Sequence, residues 1–457
     1  MNAPSQPPLP AADAHDGLPM PRRLRAIAAI CCGTALVILD AAIPVVALPT
    51  IGRELHVPAS STVLTVTIYQ LTLVMAIMPL SAVGDMIGLR RLYALGLTVF
   101  ALAAATCLFV NSFVLLLFIR FVQALGAAAV LSMTSALIRS IYPSGQLGRG
   151  LGVNSLINAS FTALAPTVGG YIVAFAPWQW VFAASAPLGV LALIGVRNLP
   201  DPEPRQGRFG WLSAAMSAAT FGLIVGGLET GAHGGGAVAT LLVLAAGIGI
   251  GVVFVRRELR VEQPVMPVDM LASPALALAM LGAMAGFMAM MTFVISMPFR
   301  LETGYHFSAG EVGTMMATWP LAALLIGPFA SIMADRFSLR LLSGIGASVT
   351  VLALLSLAMM PADVSPLGIC ARLFVTGGGI SLYLSPNARA LIASAPRHRA
   401  ASAGGLFQTV RLLGQAIGAT VAAALLSFGL GSGPGPAYAA ATLATIAGLC
   451  SVVRIRR

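Results

Sequence analysis

At 457 residues, 58% hydrophobic and only 9% charged, the chain is too apolar for an ordinary soluble domain, in which about a quarter of residues are charged. Its net charge of +11 would suit a nucleic-acid binder, but the arginines stand in short clusters between apolar runs and leave no domain-sized basic surface. A lipid bilayer is the expected partner, and nucleic acid is not.

Residues 1–21 are rich in Pro and Ala and read as a disordered tail. The first apolar run follows Arg22, Arg23 and Arg25 and is about 24 residues long. It ends without a small-residue cleavage pattern, so it reads as a retained membrane helix and not a cleaved leader. A bilayer core takes about 20 apolar residues per helix. About fourteen such runs follow one another, at 25–48, 60–82, 92–110, 113–137, 151–174, 178–196, 209–229, 236–255, 274–298, 309–333, 340–360, 365–386, 402–427 and 436–453. They are numbered helices 1 to 14. Most connections are short, so neighbours are antiparallel. Of 26 basic residues, all arginine, 21 fall in the tail and in alternate loops, while only Arg53 and Arg300 fall in the others. That bias predicts both termini on the cytoplasmic side; a bacterial inner membrane is the expected location. Prolines within the runs, among them Pro44, Pro79, Pro166, Pro320 and Pro328, are expected inside helices whose neighbours satisfy the freed carbonyls.

An internal repeat sets the domain plan. Ser81-Ala82-Val83-Gly84-Asp85-Met86-Ile87-Gly88-Leu89-Arg90-Arg91 returns more faintly as Ser331-Ile332-Met333-Ala334-Asp335-Arg336-Phe337-Ser338-Leu339-Arg340, the two carboxylates 250 residues apart. Arg120 and Arg372, each inside an apolar run, are 252 apart. The spacing predicts two homologous six-helix bundles, 22–200 and 263–457, with 201–262 an inserted two-helix hairpin that has no counterpart. Parallel halves are a known plan for membrane transporters, with the working site between them. Enzyme signatures do not occur: there is no nucleotide-cradling loop with its lysine, no metal pair of histidines and no nucleophile elbow. The five cysteines lie in apolar runs and the five histidines are scattered. No metal or cofactor is expected.

Four motifs carry a family resemblance. Gly84-Asp85-x-x-Gly88-x-Arg90-Arg91, between helices 2 and 3, resembles the loop motif of the major facilitator superfamily. Arg120-x-x-Gln123-x-x-Gly126 in helix 4 is similar to its second motif. Ala165-Pro166-x-x-Gly169-Gly170 in helix 5 resembles the antiporter motif of its drug-exporting branches. Leu39-Asp40 followed by Val46-Ala47-Leu48-Pro49 resembles the opening motif of the fourteen-helix drug:proton antiporters. Ser81, Met86, Phe161 and Ala165 depart from the usual residues of these motifs. The resemblance runs from helix 1 onward. It implies an all-α polytopic fold of two six-helix pseudo-repeats plus a hairpin, working by alternating access. It further implies export of amphipathic, often cationic, drugs or antiseptics against protons, as in multidrug and quaternary ammonium exporters, with the proton gradient as energy source. A monomer is expected. Gly84, Asp85, Gly88, Arg90 and Arg91 would gate, with Asp335, Arg336 and Arg340 as second-half equivalents; Arg90 and Arg91 alone also fit a topology anchor. Transport of one metabolite or of a self-made antibiotic is the alternative, and a receptor or scaffold without transport a further one.

Asp40 is the sharpest chemical candidate, because a carboxylate inside a membrane helix is costly unless paired and usually marks an ion or substrate path. At about 1.5 Å per residue, Asp40 lies roughly 13 Å from the outer end of helix 1 and Arg120 roughly 12 Å from that of helix 4. Pairing is therefore possible. Burial disfavours a charged carboxylate and a nearby arginine favours it, so the pair could exchange a proton against substrate, or be a static tie between helices. Gln123 and Asp40 are expected at the substrate site. In helix 9, Met284, Phe287, Met288 and Met291 would suit varied apolar substrates, or serve packing. Glu229 and Glu311, near the outer ends of helices 7 and 10, could attract a cation or be solvated carboxylates, and Trp319 of helix 10 could form an aromatic wall. Gln408, Arg411 and Gln415 share one face of helix 13, placed for the cavity or a helix interface.

Overall fold

The computed structural model describes residues 17–143, 146–201, 210–261, 266–394, 400–431 and 433–454. Most of the expected tail lies outside them, as do the side chains of Asp335 and Arg340. Among the described residues fourteen helices are long and apolar enough to cross a membrane, the number that hydropathy predicts. They are α1 (Arg22–Glu54), α2 (Leu64–Ile87), α3 (Leu89–Thr106), α4 (Phe113–Ile141), α5 (Leu147–Phe175), α6 (Trp180–Ala183 continued by Ala186–Gly195), α7 (Trp211–Ala232), α8 (Ala237–Glu258), α9 (Pro274–Phe299), α10 (Ala309–Arg336), α11 (Leu339–Ala358), α12 (Pro366–Ser394), α13 (Ala400–Ser427) and α14 (Gly435–Arg454). Successive helices reverse direction, so the start of α1 and the end of α14 share one face, here the termini face; the other is the distal face.

Local chemistry sets several boundaries. Gly88 takes φ of 103° between α2 and α3, a left-handed conformation that costs a side-chain-bearing residue but not glycine. It thereby turns the chain within one residue. Ser308 and Glu311 form a reciprocal capping box at the start of α10, satisfying two of its orphan N–H groups. Arg300 donates to Leu357 O at 2.7 Å and Ala358 O at 3.2 Å, where the end of α11 presents free carbonyls to a cation. The five prolines singled out above all lie inside helices.

In the first half α4 packs on α2 and α3, and α1 on α5 and α6; in the second, α9 packs on α13 and α14, and α12 on α10 and α11. The halves meet along two seams, α5 against α10 and α2 against α13. The hairpin covers the second seam: α7 lies along both α2 and α13, and α8 packs on α7. The far side of α8 exposes Val238, Leu241, Leu242 and Ile248, as a lipid-facing helix would.

The distal face is closed. Val45 and Leu48 of α1 bury against Met291, Ile295 and Phe299 of α9 and Ala419, Ala422 and Ala423 of α13. Arg53 and Glu302 pair across the halves at 3.2 Å. At the α5–α10 seam a Cβ on Gly170 would fall 2.6 Å from Ala309 O and 2.7 Å from Gly313 Cα, an approach only glycine permits. Towards the termini face Leu151 and Leu156 of α5 and Phe329 and Ile332 of α10 are exposed, and nothing lies within 4 Å of a Cβ placed on Gly152.

Candidate functional site

A buried polar cluster sits inside the first half. Asp40 (0% exposed), Arg120 (1%) and Gln123 (0%) form a closed ring of hydrogen bonds. Arg120 Nη1 donates to Asp40 Oδ2 at 2.9 Å and to Gln123 Oε1 at 2.7 Å, and Gln123 Nε2 donates to Asp40 Oδ1 at 2.7 Å. Gln123 follows Arg120 by three residues, so both project from one face of α4 towards α1. The guanidinium is also flanked by rings, 4.2 Å from the Tyr69 centroid on α2 and 5.0 Å from that of Phe182 on α6. Its Nε reaches Thr65 O at 3.4 Å. Both carboxylate oxygens are thus bonded and the charge is matched, which is the condition for keeping an ion pair out of water.

Beside this cluster lies a pocket of about 170 Å³ between the halves, lined from α1, α2, α4, α5, α9, α10 and α13. Ala41 and Val45 of α1 and Met291 and Met316 of the second half supply apolar wall; Gln70, Asn158, Thr162, Trp319, Arg411 and Gln415 supply polarity. One helix, α1, therefore carries Asp40 on one side and pocket lining on the other.

The predicted residues separate accordingly. Met291, Trp319, Arg411 and Pro166 line the pocket. Asp40 and Gln123, expected at the substrate, lie behind its wall with Arg120. Phe287 is buried and its ring meets Phe407 at 5.9 Å; Met284 and Met288 lie where α9 packs against Gly414 and Gly418 of α13. Glu311 is in its capping box at the distal face, and Gln408 is exposed, away from the lining. Gly169 and Gly170 sit in the distal closure, with a Cβ on Gly169 placed 2.8 Å from Ile43 O. Asp85, Arg91 and Arg336 are exposed and Arg90 half-buried at the termini face, and none of them forms an ion pair among the described residues. Arg372, the repeat partner of Arg120, donates to Gly368 O of its own helix at 2.9 Å.

Sequence reasoning missed Tyr69, Gln70, Asn158 and the role of Glu229. Asn154 and Asn158, four apart on α5, were a legible stripe; Thr34 of α1 donates to Asn154 Oδ1 at 2.8 Å. Glu229 of α7 is buried, not solvated: Thr420 of α13 donates to its Oε1 at 2.7 Å, and His233 Nδ1 stands 3.3 Å from its Oε2. The carboxylate ties the inserted hairpin to the second half.

Comparison with known proteins agrees with this architecture. The profile of the Major Facilitator Superfamily matches residues 30–419 and 276–457. The chain is 38% identical over 444 residues to the uncharacterized transporter YebQ of Escherichia coli, covering 96% of this chain and 97% of that protein. It is 28% identical to the tetracenomycin C resistance and export protein of Streptomyces glaucescens, over 91% and 77% of the two chains. Its fold is shared with a crystallised bacterial homolog of the human lysosomal transporter Spinster, at a TM-score of 0.69 and 15% identity, over 96% and 99% of the chains. Fourteen helices among the described residues long and apolar enough to span a membrane, packed as two halves with a pocket between them, and a family profile spanning both halves place this chain in the major facilitator superfamily, as a multi-pass membrane transporter.

Proposed function

We propose that the protein exports amphipathic small molecules in exchange for protons, by alternating access of the central pocket to the two faces. The observation that carries this reading is the Asp40–Arg120–Gln123 ring, fully buried in the first half and separated from the pocket only by the body of α1. A proton arriving on Asp40 removes the charge that Arg120 and Gln123 are arranged to hold. α1 then loses its tie to α4 on one side while its other side lines the pocket. A proton and a substrate thereby compete for the position of one helix, which is what exchange requires. The opening would face the cytoplasm, since the arginine-rich loops share the termini face. The similarity to a resistance and export protein supports the outward direction.

Asp40→Asn keeps size and a hydrogen-bonding oxygen but takes no proton. In everted vesicles with an acid interior, uptake of amphipathic dyes should fall to the level of vesicles lacking the protein, at wild-type expression. Gradient-driven uptake at the normal rate in that variant would remove Asp40 from the mechanism.

A further inference from the structure

The pocket wall holds three buried polar atoms without a hydrogen-bond partner: Gln70 Oε1, Trp319 Nε1 and Arg411 Nε. Two of these belong to groups that can only donate. Arg411 stands near the middle of α13 and pairs with no carboxylate among the described residues. No Asp or Glu is among the pocket-lining residues. The nearby acids are engaged elsewhere. Asp40 is held by Arg120 and Gln123. Glu229 accepts from Thr420, nine residues along α13 from Arg411 and so about 13 Å of helix rise away. A cation kept at mid-depth of a membrane bundle without a counterion is costly and marks a ligand path. A ligand that brings acceptors to it recovers a charge-assisted hydrogen bond.

We propose that the pocket takes amphipathic compounds bearing an acidic, acceptor-rich group. A carboxylate, sulfonate or ionised phenol would sit against Arg411 and Trp319, and the apolar body along Val45, Met291 and Met316. An organic cation of the same shape meets the unneutralised guanidinium as a like charge and is disfavoured. This rests on the transport reading above and narrows its substrate class.

Carboxyfluorescein and rhodamine 123 share a xanthene frame and differ in the sign of their charge, so they make a matched pair. Their binding is measured by fluorescence anisotropy on the purified full chain in lipid nanodiscs. The wild type should bind carboxyfluorescein about tenfold more tightly than rhodamine 123. Arg411→Gln should lose about tenfold for carboxyfluorescein only, the scale of one charge-assisted hydrogen bond, and Arg411→Lys should retain most of it. Trp319→Phe keeps the ring but not the N–H; it should lose about threefold and carries the test if Arg411→Gln does not fold. A folded wild type that fails to bind carboxyfluorescein, or that prefers rhodamine 123, overturns the proposal. Unchanged carboxyfluorescein affinity in both Arg411→Gln and Trp319→Phe, or in Trp319→Phe alone should Arg411→Gln not fold, does the same. Proton exchange is tested separately, by the loss of gradient-driven uptake in Asp40→Asn, whereas the charge preference is read from the binding of the two dyes to the wild type and to the Arg411 and Trp319 variants, so the two ideas fail in different measurements.

Discussion

Arg120 does several jobs with one planar group. It matches the charge of Asp40, donates to Gln123, reaches Thr65 O, and lies between the rings of Tyr69 and Phe182. A lysine ammonium offers no plane to stack. Removing the guanidinium leaves a carboxylate at 0% exposure with one hydrogen bond and no counter-charge. Arg120→Ala should therefore destabilise the protein by about 3–5 kcal/mol. Adding Asp40→Asn should return a large part of that loss, because the stranded charge is then gone. Thermal unfolding of the four proteins of the cycle in detergent reads the coupling; additive losses would mean that the two residues do not act as a pair. Part of this cluster was legible in the sequence. Two charges at matched depth on helices 1 and 4 allow a pair, and Gln123 shares a face with Arg120. Tyr69 and Phe182 were not legible, since no feature of the sequence fixes how far α2 and α6 rotate about their own axes.

Helix 5 meets its surroundings differently at its two ends. Its distal half meets α10 backbone to backbone at Gly170 and Gly313, while its half nearer the termini face, at Gly152, has open space around it. A Cβ on Gly170 would press on main-chain atoms, which cannot rotate away as a flexible side chain can. Gly170→Ala should force the distal ends apart and lower exchange about tenfold or more, as sub-ångström misfits at packed contacts do. Gly152→Ala on the same helix should be silent or slightly stabilising, by about 0.5–1 kcal/mol from helix propensity. Dye uptake and melting temperature of the two variants test the contrast, and equal behaviour would show that the close approach is incidental. The fourteen helices themselves follow from apolar run length alone, which is why their number and order were readable. Their exact ends were not: α1 extends to Glu54, six residues past its apolar run. α6 is interrupted between Ala183 and Ala186, where Pro187 lacks an N–H and crowds the carbonyl four residues back. The docking of the hairpin was equally invisible. Glu229 finds Thr420 191 residues away, and only the folded arrangement brings them together.

Under the alternating access proposed above, the two halves form a two-state device whose balance depends on contacts present in one arrangement and absent in the other. Among the distal contacts, the Arg53–Glu302 pair is unequal: the Arg53 side chain is 61% exposed and that of Glu302 3% exposed. This asymmetry predicts an order of effects. Glu302→Gln leaves Arg53 in water, where an unpaired arginine costs little. Arg53→Ala leaves a buried carboxylate without its counter-charge, and opening the distal face is the direct way to hydrate it. Arg53→Ala should therefore shift the population towards the distal-open arrangement more than Glu302→Gln. For a difference of about 1 kcal/mol the shift is about fivefold. Spin labels at the exposed Phe109 and Met359, one in each half near the distal face, would report the separation by double electron–electron resonance in a background with the native cysteines replaced. Arg53→Ala should add a longer distance that Glu302→Gln adds only weakly. Identical distributions in both variants would mean that the distal face is held by the apolar cluster around Val45 and Ile295 alone, and that the ion pair plays no part in the exchange of states.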